Sequence, residues 1–576
     1  MRWGLPTACG NDPASHECHE RGIMMKTMLR TRWVPVLMCL ALALPGITIH
    51  SAGAWADSTA VDTAKKVADT TKKVDTAKKD TGMAMAMPAA PAAEPKPDPN
   101  GGMTGDINTI TAAKPGAPTL TEIGNAVGHN IVATNFVWTL IAGFLVMFMQ
   151  AGFALVETGF CRAKNASHTF FMNFAVYFLG MTGFFICGYA LQMGNCAGVT
   201  SLGGVSTMNG AFSIDLFGKP FQLFGTKGFF LTGGAYDVGA ITMFLFQMVF
   251  MDTAVTIPTG AMAERWKTTN FIFFAFFMSM FVYPIYGNWV WGNGWLAKLG
   301  SNFGLGHGHV DYAGSSVVHM VGGVAALAGA IVLGPRIGKY TREGKPNAIP
   351  GHHIPMAILG TMILAFGWFG FNAGSSLAGN DLRIGIVAVN TMLASASGGL
   401  VSMLYMYFLT KKWDPSMTIN GFLAGMVAIT APCAFVTPVA AFFIGAVSGV
   451  LVILAAFFIE RKLKVDDPVG AIAVHGVNGA WGVLSLGLFA DGTYGDGWNG
   501  VAGPVKGLFY GDASQFVAQI VGTATNFVWV FGTFFAFFKV CDMIWGIRVS
   551  PETEIEGLDI PETGILAYND FSVHKS

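Results

Sequence analysis

Eleven apolar stretches fill the chain from about residue 131 onward, at roughly 133–156, 168–192, 238–261, 270–292, 312–333, 354–377, 384–409, 417–432, 435–459, 468–490 and 516–546. Nothing else in the sequence limits the fold as strongly. A helix rises ~1.5 Å per residue, so about 20 apolar residues match a hydrocarbon core ~30 Å thick. Within that core every backbone N–H and C=O needs an internal partner, which selects helices. The expected fold class is an all-α polytopic membrane protein with eleven transmembrane helices. The last stretch is too long for a perpendicular crossing and should tilt. Composition agrees: 52% of residues are hydrophobic, 12% are charged, and mean hydropathy is +0.51. The 74 glycines suit close helix packing in lipid. Net charge is zero, which argues against a nucleic-acid partner.

The flanks read differently. Residues 1–56 are expected to hold a signal peptide: Lys26, Arg30 and Arg32, then apolar Val34–Leu44, then Ala54-Trp-Ala56 as the cleavage site. Met24, Met25 and Met28 remain open as alternative starts. Residues 57–130, with Asp-Thr-Ala-Lys-Lys units and a Met/Ala/Pro segment, read as a disordered low-complexity external segment. The membrane domain is then 131–546, and 547–576 a C-terminal tail. Basic residues gather in alternate loops (Arg162/Lys164, Arg265/Lys267, Arg336–Lys345, Lys411/Lys412, Arg461–Lys464). The positive-inside rule makes these cytoplasmic, with the mature N-terminus outside, the C-terminus inside, and the plasma (inner) membrane as the location. Five of the eight cysteines lie beyond the signal region, without metal-ligand spacing, and no cofactor is expected. A Cys196–Cys433 disulfide is left open.

One motif occurs twice. Asp311-Tyr-Ala-Gly-Ser-Ser-Val-Val-His319-Met-Val-Gly-Gly323 in the fifth stretch matches Asp467-Pro-Val-Gly-Ala-Ile-Ala-Val-His475-Gly-Val-Asn-Gly479 in the tenth. Stretches 1–5 and 6–10 thus form two halves entering from opposite faces, an inverted repeat with the eleventh added. Asp311 and Asp467 read as helix N-caps, with Pro468 at the first helical position. Each histidine then lies about 12 Å deep, near the midplane. A lone intramembrane histidine is as often packing as site; two in matched register mark the site.

Longer motifs carry a resemblance. Gly152-Phe-Ala-Leu-Val-Glu157 with Arg162-Ala-Lys-Asn165, Gly260-Ala-Met-Ala-Glu-Arg265, the two histidine motifs, and Gly367-Trp-Phe-Gly-Phe-Asn-Ala-Gly-Ser375 resemble the ammonium transporters of the Amt/Mep/Rh family, bacterial Amt type, over about 131–565. The resemblance implies a homotrimer with one path per subunit. It implies an external recognition site at Phe250, Trp291, Ala313 and Ser375, a gate of Phe250 and Phe371, and pore histidines His319 and His475. It further implies that the tail engages a trimeric PII-type signalling protein. An indole face can hold a small cation and a serine oxygen can accept its N–H. The expected action is transport, not enzyme catalysis: capture of ammonium, deprotonation, passage of ammonia through an apolar pore, and a proton relay along the histidines. An ammonium sensor, a neutral ammonia/CO2 channel of the Rh type, and a haem protein ligated by His319 and His475 are the alternatives.

Four further expectations concern single features. Glu157 is read as paired with Arg162. Asp252, two residues past Phe250, is a departure from the family pattern and is expected to bond a neighbouring helix. Segment 193–237 is unusually long and is expected to fold over the outer vestibule. The tail's Glu552, Glu554, Glu556 and Asp559 are expected to lie against the basic loops by charge complementarity.

Overall fold

A computed structural model describes residues 117–195, 199–203 and 208–569. Among these, ten helices are long and apolar enough to cross a membrane, and a shorter apolar one completes the eleven. Span 1 is Leu120–Phe160, span 2 Ala163–Met193, span 3 Val238–Ala261, span 4 Thr268–Val290, span 5 Ser315–Leu333 and span 6 Ile354–Ser376. Span 7 is Ile384–Thr410, span 8 Pro415–Ile429, span 9 Pro438–Leu463, span 10 Ile472–Phe489 and span 11 Ala513–Trp545. Large apolar side chains such as Phe148, Leu359, Met362, Val528 and Met543 are exposed on the outer surface, as lipid contact requires.

The starts are set by caps. Asp237, Asp414, Thr437 and Asp512 each accept N–H groups of the first turn of spans 3, 8, 9 and 11. Thr119 and Glu122 form a reciprocal capping box, so span 1 is helical from Leu120. The boundary read at residue 130 therefore falls inside a helix.

Spans 5 and 10 cross at the centre with their backbones in contact. A Cβ on Gly323 would stand 2.1 Å from Gly476 N, so only glycine fits there. Each helix opens with a wide π-type turn, Ser315–Met320 and Ile472–Val477, and each turn carries its histidine. The cap reading needs correction. Asp311 does gather the first N–H groups, but the residue in the cap position is Gly314, at φ 115°. Pro468 lies in a bend ahead of span 10, not at its first helical position. The histidines therefore sit about one turn into their helices, and part of the expected 12 Å depth is non-helical chain.

On the face carrying the basic loops, a buried ionic network replaces the expected Glu157–Arg162 pair. Arg162 binds Glu264 at 2.5 Å, and Arg336 binds Asp466 at 2.8 Å with Glu264 3.4 Å away. Burial would raise the Asp466 carboxyl, but Arg265 and Arg336 hold it well below the usual carboxylate range. Glu157 instead accepts from Asn173 (2.7 Å) and Thr259 (2.8 Å), tying span 1 to spans 2 and 3. Asp252 is buried with no hydrogen-bond partner for either carboxylate oxygen, so the expected bond to a neighbouring helix is absent.

The tail docks by a different logic from the one expected. Glu554 pairs with Arg548 of the tail itself (2.8 Å) and accepts from Ile337 N. Asp559 accepts from His168 N, Glu562 from Thr268 N, and Lys164 Nζ donates to the Ile555 carbonyl. Acidic side chains thus seat on backbone N–H groups at the starts of spans 2 and 4. Glu552 and Glu556 are exposed, and Arg336 and Lys339 are taken by Asp466 and Glu460.

Within segment 193–237, strands β1 (Ala211–Leu216) and β2 (Lys219–Gly225) form an antiparallel hairpin. It packs on the end of span 4, with Trp289 donating to the Leu223 carbonyl and Phe221 against Trp295. Cys196 lies outside the described residues; Cys433 is buried.

Candidate functional site

A cavity of about 180 Å³ opens at the hairpin-bearing end, walled by Phe250, Trp291, Asp311 and Ser375 among others. Among the described residues, no lysine or arginine lines it. Trp291 ends span 4 and is fixed by its indole N–H, which donates to the Asp311 carbonyl at 2.7 Å. Gly314, in the left-handed region, leaves room for the indole: a Cβ there would stand 3.2 Å from the ring. Ser375 donates its hydroxyl to the Phe371 carbonyl at 2.8 Å, so its oxygen keeps lone pairs for a donor in the cavity. Ala313 is fully buried, its N–H donating to the Thr430 carbonyl, and it does not line the cavity.

Asp311 is the anion of this wall, yet its oxygens are already engaged. They accept from the N–H groups of Gly314, Ser315, Ser316 and Val317 and from the Ser316 hydroxyl, all within 2.7–3.0 Å. Standing in the cavity wall, it anchors the helix start. Asp467 anchors the start of span 10 with fewer bonds, accepting from Gly470 N and Ile472 N.

Below the cavity, Phe250 and Phe371 stack at 4.1 Å. His319 follows, stacked on Phe371 at 5.3 Å and on Trp368 at 5.2 Å. His475 comes next, with Nδ1 3.1 Å from His319 Nδ1, and then Phe153, 6.0 Å from the His475 ring. An Nδ1–Nδ1 contact requires one ring to donate and the other to accept, so the pair shares one bridging proton. The remaining His319 nitrogen, Nε2, has no hydrogen-bond partner. The two rings stack with centroids 5.2 Å apart and Nδ1 atoms 3.1 Å apart, which leaves no room for a haem between them, so the haem reading does not fit.

Of the residues read from sequence, the structure brings together Phe250, Trp291, Ser375, Phe371, His319 and His475, with Asp311 at the rim. Sequence reasoning missed His309, Tyr312, Trp498 and Asn499, which also line the cavity. His309 could have been noticed, because His307-Gly-His309 leads directly into the duplicated motif. Trp498 and Asn499 come from the loop before span 11, and no local pattern marks them.

Two inverted halves crossing at paired histidines, beneath an aromatic cavity with Asp311 in its wall, define a polytopic membrane transport protein. A family model described as the Ammonium Transporter Family matches residues 137–568. Ammonium transporter Amt2 of Archaeoglobus fulgidus is 44% identical, the match covering 81% of this chain and 93% of that protein. Ammonium transporter Amt1 of Haloferax mediterranei is 36% identical, over 77% and 81%. Among solved structures, a Sensor Amt Protein is similar at 37% identity and TM-score 0.65, over 76% of this chain and 99% of that one. Candida albicans Mep2 is similar at 28% identity and TM-score 0.62, over 77% and 93%. The chain belongs to the ammonium transporter family.

Proposed function

We propose that this protein carries ammonium across the membrane by capturing the cation, stripping a proton from it, and passing ammonia and the proton separately. The carrying observation is the unbroken column from the capture cavity through the Phe250–Phe371 stack to the touching histidines. Trp291 and Ser375 hold the cation, with the field of Asp311 assisting. Moving an unpaired cation past two buried phenyl rings costs several kcal/mol at least. Ammonium avoids that cost by deprotonating, an exit potassium lacks. Neutral imidazole donates at one nitrogen and accepts at the other, so His319 and His475 relay the proton. The protein works as a homotrimer in the plasma membrane, mature N-terminus outside and tail inside, after loss of a signal peptide; the tail meets a PII-type protein.

Replacing His319 or His475 by alanine tests the relay in proteoliposomes. Loss of ammonium-driven current, or a new potassium leak, is expected. Unchanged current and selectivity in both variants would contradict it.

A second reading, ammonium sensing, is favoured by the likeness to the Sensor Amt Protein across nearly all of that chain. It predicts saturable ammonium binding without flux in the same vesicles.

A further inference from the structure

One buried histidine in the wall of the capture cavity has no part in that mechanism. His309 lies on the loop before span 5, fully buried, and lines the cavity beside Asp311. Its Nε2 is 3.0 Å from Ser316 Oγ, which in turn is 2.7 Å from Asp311 Oδ2. Ser316 has one hydroxyl proton. Asp311, a carboxylate surrounded by four N–H donors, has none to give. Ser316 therefore donates to Asp311 and accepts from His309. That assigns the tautomer: the neutral ring carries its proton on Nε2 and leaves Nδ1 bare.

Nδ1 accepts no hydrogen bond. The ring lies against Gly522 of span 11, where a Cβ would stand 2.0 Å from Nδ1, so the imidazole occupies the space a side chain would need. Around it are Asp311 and Ser316, Gln519 and the Ala518 backbone on span 11, and Tyr286 on span 4, whose hydroxyl donates to the Gly522 carbonyl. Of these groups only Asp311 carries a charge.

We propose that His309 is a positioning residue that sets the charge of the capture cavity. Neutral, it holds Ser316 and Asp311 in the arrangement that receives ammonium; protonated at Nδ1, it puts a competing positive charge in the same wall and weakens capture. The inference rests on the cavity being the ammonium site. Burial holds the ring's pKa below the ordinary histidine range, so the charged form belongs to an acidic medium.

The test is the half-saturating ammonium concentration for uptake by full-length protein in liposomes, at about pH 7.5 and about pH 3, where the ring is mostly charged. External ammonium is essentially all cation across that range. Wild type should need about tenfold more ammonium at the acidic pH. His309→Gln can still donate to Ser316 but cannot be charged, and should show a rise of less than about twofold. His309→Ala should weaken uptake at neutral pH, with glutamine recovering most of the loss. Should the alanine variant not fold, the glutamine variant alone decides. An acid response in His309→Gln equal to that of wild type would overturn the proposal, as would alanine and glutamine variants that match at neutral pH. Wild-type vesicles that take up no ammonium at either pH would overturn the reading of the cavity itself.

Discussion

Trp291 does two things with one indole. Its N–H anchors to the Asp311 carbonyl, while Phe250 meets its ring edge-on at 6.2 Å. A cation–π contact contributes about 0.5–1 kcal/mol when exposed and ~2 when desolvated. Trp291→Leu should therefore raise the half-saturating ammonium concentration by about twofold to about thirtyfold, read from uptake curves. An unaltered curve would make Trp291 a membrane-interface residue only. Asp252 is the opposite case, a buried carboxyl with nothing to bond. Ionised and unpaired it would be costly in an apolar span. Asp252→Asn removes that cost at nearly constant volume. Conduction should persist, and the thermal midpoint in detergent should stay level or rise. A folded variant without current would instead place the carboxyl on the proton path.

Helices were the most legible level of the sequence, because hydropathy over about 20 residues reports burial in lipid whatever the neighbours do. Span 3 ends where it was read, at 238 and 261, because Asp237 caps it and a turn over 262–265 ends it. Span 1 was misread at its start because the polar Thr119–Glu122 box precedes the apolar run. The duplicated motif revealed the pairing of spans 5 and 10, but not the π-type turns or the bend at Pro468. Those depend on how closely the two backbones cross. Gly323→Ala tests that crossing, since the added methyl would meet the Gly476 backbone and not a flexible side chain. Overpacking of this kind costs about 1–3 kcal/mol. The variant should melt several degrees below wild type in detergent, or fail to fold. A Gly323→Ala protein with the wild-type midpoint would mean the spans stand further apart.

At the scale of the whole molecule, the cavity and the tail docking were beyond sequence reading because each is assembled from distant segments. Charge suggested salt bridges for the tail; the structure seats Asp559 and Glu562 on helix-start N–H groups, where a carboxylate also meets the positive end of the helix dipole. Deleting residues 550–576 should leave ammonium permeation in place but change the basal rate, because spans 2 and 4 lose these contacts. Identical rates would leave the tail without a role in transport. In the proposed mechanism, charge enters only with ammonium. Current from proteoliposomes given matched ammonium and potassium gradients tests it most directly. The prediction is an inward current with ammonium that saturates, and none with potassium. Ammonia accumulation without current, or equal currents from both cations, would contradict it.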